Sequence, residues 1–142
     1  MPGRESVFPH LFSPLRLGPV TLPSRVVLPA HLTNYAEDGL PTARHAAYYA
    51  ARAAGGAGLV VTEEHTVAPG DRAYERLIRG WDDAVLPGYR ALTAAVHAHG
   101  VPVLAQLNHN GGPCSPLPCP PLWLSWASTG TPCACTAAVS AR

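Results

Sequence analysis

The sequence predicts an α/β protein built on a parallel sheet, and three observations carry that expectation. Short apolar runs recur at "RVVLPA", "GLVVTE" and "VPVLAQL". Between them lie two stretches with helical spacing, "TARHAAYYAARAAGG" and "LPGYRALTAAVHAHG". Each apolar run ends in a hydrogen-bonding segment: "PAHLTNY", "EEHT" and "QLNHNGG". Strands that are apolar on both faces and alternate with helices pair in parallel through right-handed crossovers. A doubly wound sheet and a (β/α)8 barrel both satisfy this order.

Taken in order, "FPHLFSPLRLGPVTLPS" reads as a short hairpin at a domain edge, and Val26, Val27 and Leu28 as the first strand. Thr42 after Pro41 is a suitable N-cap for the first helix. Ala46, Tyr49, Ala50 and Ala53 fall on one face of it at three- and four-residue steps. Gly55 or Gly56 supplies a left-handed C-terminal cap, and the second strand follows at once. A long polar loop leads to Gly80 and then to the second helix, with Pro87 in its first turn. Tyr89, Leu92, Val96 and His99 share one face there, and Gly100 closes the helix. His97 and His99 sit in the last turn, where the helix dipole favours a cation. Pro102 is tolerable near the start of the third strand.

Residues 1–112 and 113–142 differ in kind. The second segment holds all four cysteines, six of the sixteen prolines and one charged residue, Arg142. Trp123 and Trp126 lie in it without the spacing that would bury them. An irregular tail outside the fold is expected there, of the kind a shifted reading frame produces. Cys114, Cys119, Cys133 and Cys135 stand at C-x4-C and C-x-C spacings, which do not make the paired C-x2-C of a zinc site. No metal is therefore expected. A formal charge of +1, with ten arginines and no lysine, gives no reason to expect a nucleic-acid or acidic-membrane partner. The first ten residues contain no apolar core of a signal peptide, and no run approaches the ~18 apolar residues of a membrane span. A soluble cytoplasmic protein is the expectation.

In either architecture the loops after the strands gather on one side, where ligands bind. "GGAG" at Gly55 to Gly58 follows a helix and precedes a strand, so it is a cap and tight turn. A dinucleotide fingerprint needs the opposite order. His31, His65 and His109 all follow strands, which raises the alternative of a barrel metal hydrolase with strand-end histidine ligands.

"LFSPLRLG…TLPSRVVLPA", "GLPTARHAAYYAARAAGGAGLVVTEE" and "AQLNHNGG" together resemble the opening of the old yellow enzyme and 2,4-dienoyl-CoA reductase group of NADH:flavin oxidoreductases. Among these the chain looks most like the FadH/old-yellow-enzyme-like oxidoreductases associated with mycofactocin systems. The resemblance spans roughly residues 8–112. It implies the N-terminal portion, about three βα units, of a (β/α)8 barrel with FMN at the C-terminal mouth of the strands. By position, it lays Pro29, Ala30, His31 and Leu32 along the flavin's N5 and O4 edge, sets Glu64 against the ring system and Gln106 at the pyrimidine end. A glutamine amide can answer both the N3–H donor and the O2 acceptor of a flavin. Leu32 departs from the hydroxyl or thiol that the family often places near O4, with Thr33 beside it. Tyr35 and His109 are the candidates for substrate contact.

The implied reaction is a hydride relay from NADH or NADPH through FMN to an electron-poor alkene, a small-molecule enone or enoyl compound. The family's proton-donating tyrosine, carbonyl-binding pair and phosphate-gripping loops fall later in the barrel, so no catalytic residue is expected in this chain. A complete barrel takes ~250 residues, and three strands cannot close one. The resemblance therefore leads to the expectation of an inactive truncated fragment, with a noncatalytic truncated product as a further alternative.

Overall fold

In a computed structural model, the structure describes residues 7–71, 74–109 and the short strand 138–140. The expected edge hairpin is present: β1 (Leu15–Leu17) pairs antiparallel with β2 (Val20–Leu22). The chain turns between them at Gly18, with φ +57°.

The sheet that follows has the predicted parallel core. β3 (Val27–Leu28) and β4 (Leu59–Thr66) run parallel in register Val27↔Leu59, and β4 runs parallel to β6 (Val103–Asn108) from Val60↔Val103 to Thr66↔Asn108. Two additions were not legible in the apolar pattern. Inside the long loop before Gly80, β5 (Ile78–Arg79) pairs parallel with the end of β4, His65 opposite Ile78. In the tail, β7 (Ala138–Ser140) pairs antiparallel with β6; nothing in the tail's periodicity marks this strand. The four cysteines lie outside the described residues. Because β6 occupies one edge of β4, β3 and β5 must share the other. They pair with opposite ends of β4, and among the described residues its middle has no strand partner on that side.

Helix α1 (Ala43–Ala54) begins after Thr42, which holds an extended N-cap conformation. Its buried residues are His45, Tyr49 and Ala53, one face at i, i+4, i+8. The expected alanine stripe is thus rotated toward His45. Gly56, with φ +103°, makes the left-handed exit. Helix α2 (Leu86–His97) has Pro87 in its first turn and buries Leu92 and Val96. His99 lies beyond its end and is exposed, so it does not extend the apolar face. Both helices pack on one face of the sheet, where Tyr49, Ala53, Val60, Leu92, Val96, Val101 and Val103 form the core. Gly58 lets β4 begin close to the preceding segment, since a Cβ there would stand 2.0 Å from the Ser24 carbonyl oxygen. No helix among the described residues is long and apolar enough to cross a membrane.

Candidate functional site

A break in strand β4 decides which side chains face the site. Val60 belongs to the helix-side core, and His65 stacks on Tyr89 of α2 at 5.1 Å between ring centroids. Five residues apart, they would lie on opposite faces of a regular strand. They share a face because the register against β6 slips between Thr62 and Glu64, a bulge that inserts Glu63. The main-chain N–H of Glu63 donates instead to the Tyr49 hydroxyl at 2.9 Å. Burial pushes the Tyr49 phenol well above its ordinary pKa, so the hydroxyl stays neutral. Beyond the bulge, Glu64 turns to the helix-free face.

On that face Glu64 is opposite Gln106 in the ladder, and the Asn108 side-chain amide donates to Glu64 Oε2 at 2.9 Å. The Gln106 side chain is half-buried and makes no hydrogen bond among the described residues. Its main-chain carbonyl accepts from His65 Nδ1 at 3.1 Å. At the end of β3, Pro29 and His31 are exposed, and Ala30 and Leu32 are half-buried. The main chain of Ala30 to Leu32 likewise has no hydrogen-bond partner among the described residues. The Gln106 side chain and the main chain of the turn after β3 therefore keep unspent hydrogen-bonding groups. That donor and acceptor set suits the polar edge of a flavin, whose ring alternates N–H donors with carbonyl and imine acceptors.

The two residues expected to meet substrate separate. His109 stays at the end of β6, with Nδ1 3.6 Å from Asp71 Oδ2 of the loop after β4. Tyr35 is packed on α1. Its ring lies edge-on to His45 and Tyr48, each at 5.7 Å, and the Arg44 guanidinium covers its face at 4.0 Å. Thr33, next to Leu32, accepts from the Tyr35 N–H at Oγ1.

The metal-hydrolase alternative is not supported. His65 points into the helix layer, away from exposed His31, and its Nδ1 is committed to Gln106. Among the described residues no three His, Cys, Asp or Glu side chains group to hold a metal. Buried His65 is pushed down to a pKa of about 4, chiefly by loss of hydration and only partly offset by the Gln106 carbonyl and Glu63.

Sequence reasoning missed Glu63 and His45, both fully buried. Glu63 Oε1 is 2.8 Å from His45 Nε2, and Oε2 accepts the Thr33 N–H. Burial alone would raise the Glu63 pKa, but the His45 and Thr33 hydrogen bonds outweigh it and hold the carboxyl below its ordinary value. The signal was present in outline. Two carboxylates in succession at the end of an apolar strand cannot both face solvent without a break, and His45 stands at the third helical position after a Thr cap, where a capping partner belongs.

Comparison with known proteins places the chain in a family. Residues 10–118 match the NADH:flavin oxidoreductase / NADH oxidase family. The chain belongs to it. An NADH oxidase of Thermoanaerobacter brockii is 38% identical over 111 residues, which cover 77% of this chain and 17% of that protein. The old yellow enzyme of Trypanosoma cruzi superposes with a TM-score of 0.70 at 30% identity, covering 75% of this chain and 28% of its own. Morphinone reductase in complex with tetrahydroNAD gives 0.67 at 36% identity, over 72% and 28%. The parallel strands β3, β4 and β6, with α1 and α2 as crossovers, are thus three successive strands of the barrel, and the doubly wound alternative falls away. The chain spans less than a third of the length of each of these relatives.

Proposed function

We propose that the main chain of Ala30, His31 and Leu32, with Glu64 and Gln106, forms the ring-edge part of an FMN site. The site belongs to an NAD(P)H-dependent oxidoreductase that reduces electron-poor alkenes. The observation that supports this is the unspent hydrogen-bonding groups of Gln106 and of the turn after β3, in a chain of a flavin oxidoreductase family. Gln106 would accept from the ring N3–H and donate to O2 through the same amide. Glu64, its carboxylate engaged by Asn108, offers main-chain groups to the ring. Pro29 ends β3 and starts the turn that brings Ala30 to Leu32 to the N5 and O4 edge. Leu32 adds no hydrogen bond at O4. Bound there, FMN would supply hydride transfer between NADH or NADPH and a small-molecule enone or enoyl-type substrate. His109, held beside Asp71, would be the residue to contact such a substrate, whereas Tyr35 serves the packing of α1.

The described strands offer one edge of the ring site, so FMN binding by this chain should be weak. The test is a titration of the purified chain with FMN, followed by flavin fluorescence and by the Gln106 side-chain amide resonances. The expected result is saturable binding that Gln106→Ala weakens about tenfold, the worth of one bidentate hydrogen-bonded contact of ~1.4 kcal/mol. Gln106 resonances that stay fixed at millimolar FMN would overturn the assignment.

A further inference from the structure

We propose that Glu63 is the positioning residue of the flavin-edge turn: its buried carboxylate accepts one hydrogen bond from His45 in the first turn of α1 and one from the Thr33 N–H, and so fixes the main chain of Ala30 to Leu32. The proposal rests on the FMN-site reading above for its functional consequence, but not for its geometry.

The hydrogen bonds are directional and leave one solution. The Thr42 N–H donates to His45 Nδ1 at 2.9 Å, so that nitrogen carries a lone pair and the ring proton sits on Nε2. The Thr42 hydroxyl is turned to the Tyr35 carbonyl at 3.1 Å. His45 Nε2–H therefore donates to Glu63 Oε1 at 2.8 Å, and the Thr33 N–H donates to Oε2. Both oxygens must be acceptors. An ionised carboxylate meets that requirement, and an amide, with one oxygen and one NH2, cannot. Imidazole cannot compensate by moving its proton, because Nδ1–H would then face the Thr42 N–H.

The location is what gives this network a purpose beyond stability. Replacing a buried ion pair by packed apolar side chains is often neutral or stabilising, so a fully buried carboxylate is poor evidence for a stabilising role. Glu63 is nevertheless 0% exposed and is inserted as an extra residue in β4, at the stretch where neither β3 nor β5 pairs. Its partners are the first turn of α1 and the turn that leaves β3. Thr33 follows Leu32 directly, so fixing its N–H sets the direction of the peptide groups just before it, which have no partner of their own among the described residues. Preorganised main-chain groups of this kind do their work through orientation.

The experiment compares the full chain with Glu63→Gln by amide hydrogen exchange and FMN titration. Val96→Ala, which destabilises the core far from the turn, is the control. In the unsubstituted chain the Thr33 amide should exchange at least tenfold more slowly than those of Ala30 and Leu32, and the His45 imidazole nitrogens should report the Nε2–H tautomer. Glu63→Gln should accelerate Thr33 exchange at least tenfold with Val60 in β4 unchanged, and weaken FMN binding about tenfold. Val96→Ala should leave the FMN affinity of the folded chain as it was. Equal exchange at Thr33 and Leu32 in the unsubstituted chain overturns the proposal without any variant, even if Glu63→Gln fails to fold. Loss of Thr33 protection with unchanged FMN affinity overturns it as well. A chain that binds no FMN yet shows the protected Thr33 amide and its selective release in Glu63→Gln refutes the FMN-site reading and upholds the turn-fixing role.

Discussion

Mild acid should destabilise this fold through one histidine. His65 donates from Nδ1 to the Gln106 carbonyl, so a second proton must go to Nε2, a buried atom with no hydrogen-bond partner among the described residues. Its pKa is lowered from 6.5 to about 4, and the unfolded chain therefore binds more protons than the native one between those values. Stability is complete on the neutral side and is lost as pH falls through that window. Worked from the two pKa values, moving from pH 7 to pH 5 costs about 2 kcal/mol from His65 alone. Glu63, whose pKa is also lowered, acts in the same direction but at lower pH, with stability present above its unfolded value of 4.5 and lost in stronger acid. The interval from pH 7 to 5 thus isolates the histidine from Glu63. The assay is urea unfolding by circular dichroism at both pH values, for the chain and for His65→Phe, which keeps a ring against Tyr89. The substituted chain should lose about 2 kcal/mol less over that interval. Equal acid sensitivity in the two proteins would refute the assignment of His65 as the neutral buried group.

Three further outcomes follow from single contacts. Tyr49→Phe should cost about 1–3 kcal/mol in urea unfolding, because the bulge N–H of Glu63 loses its acceptor inside the core. Gly58→Ala forces a Cβ to 2.0 Å from the Ser24 oxygen and should prevent native-like thermal unfolding altogether. Gly100→Ala meets no atom within 4 Å but must hold φ +70°, so its cost should stay near ~1–2 kcal/mol in the same assay, and parity between the two glycine variants would contradict the steric argument.

The proposed site draws on residues where chemistry and position coincide in the chain. Gln106 and the turn at Ala30 to Leu32 could be singled out because each follows an apolar run directly, and Pro29 marks where the first run must end. Tyr35 looked equally available in sequence. In the fold the aromatic and guanidinium groups of α1 offer it a closer surface, and it packs there. The strand β5 was hidden because two residues carry no periodicity, although Ile78 is fully buried.

The sequence by itself determined the order of the three main parallel strands and the two helices between them, and the parallel class. Those follow from local patterns: apolar runs, caps, and polar residues at strand ends. The tertiary structure alone decided which of two adjacent glutamates faces the helices. Strand alternation has period two, and one inserted residue reverses it; whether a residue is inserted depends on the register against β6, some forty positions away. The same distance separates His65 from the carbonyl that selects its tautomer. Such pairings leave no mark on neighbouring residues, so the Glu63 junction between His45 and Thr33 became visible only once the strands were side by side.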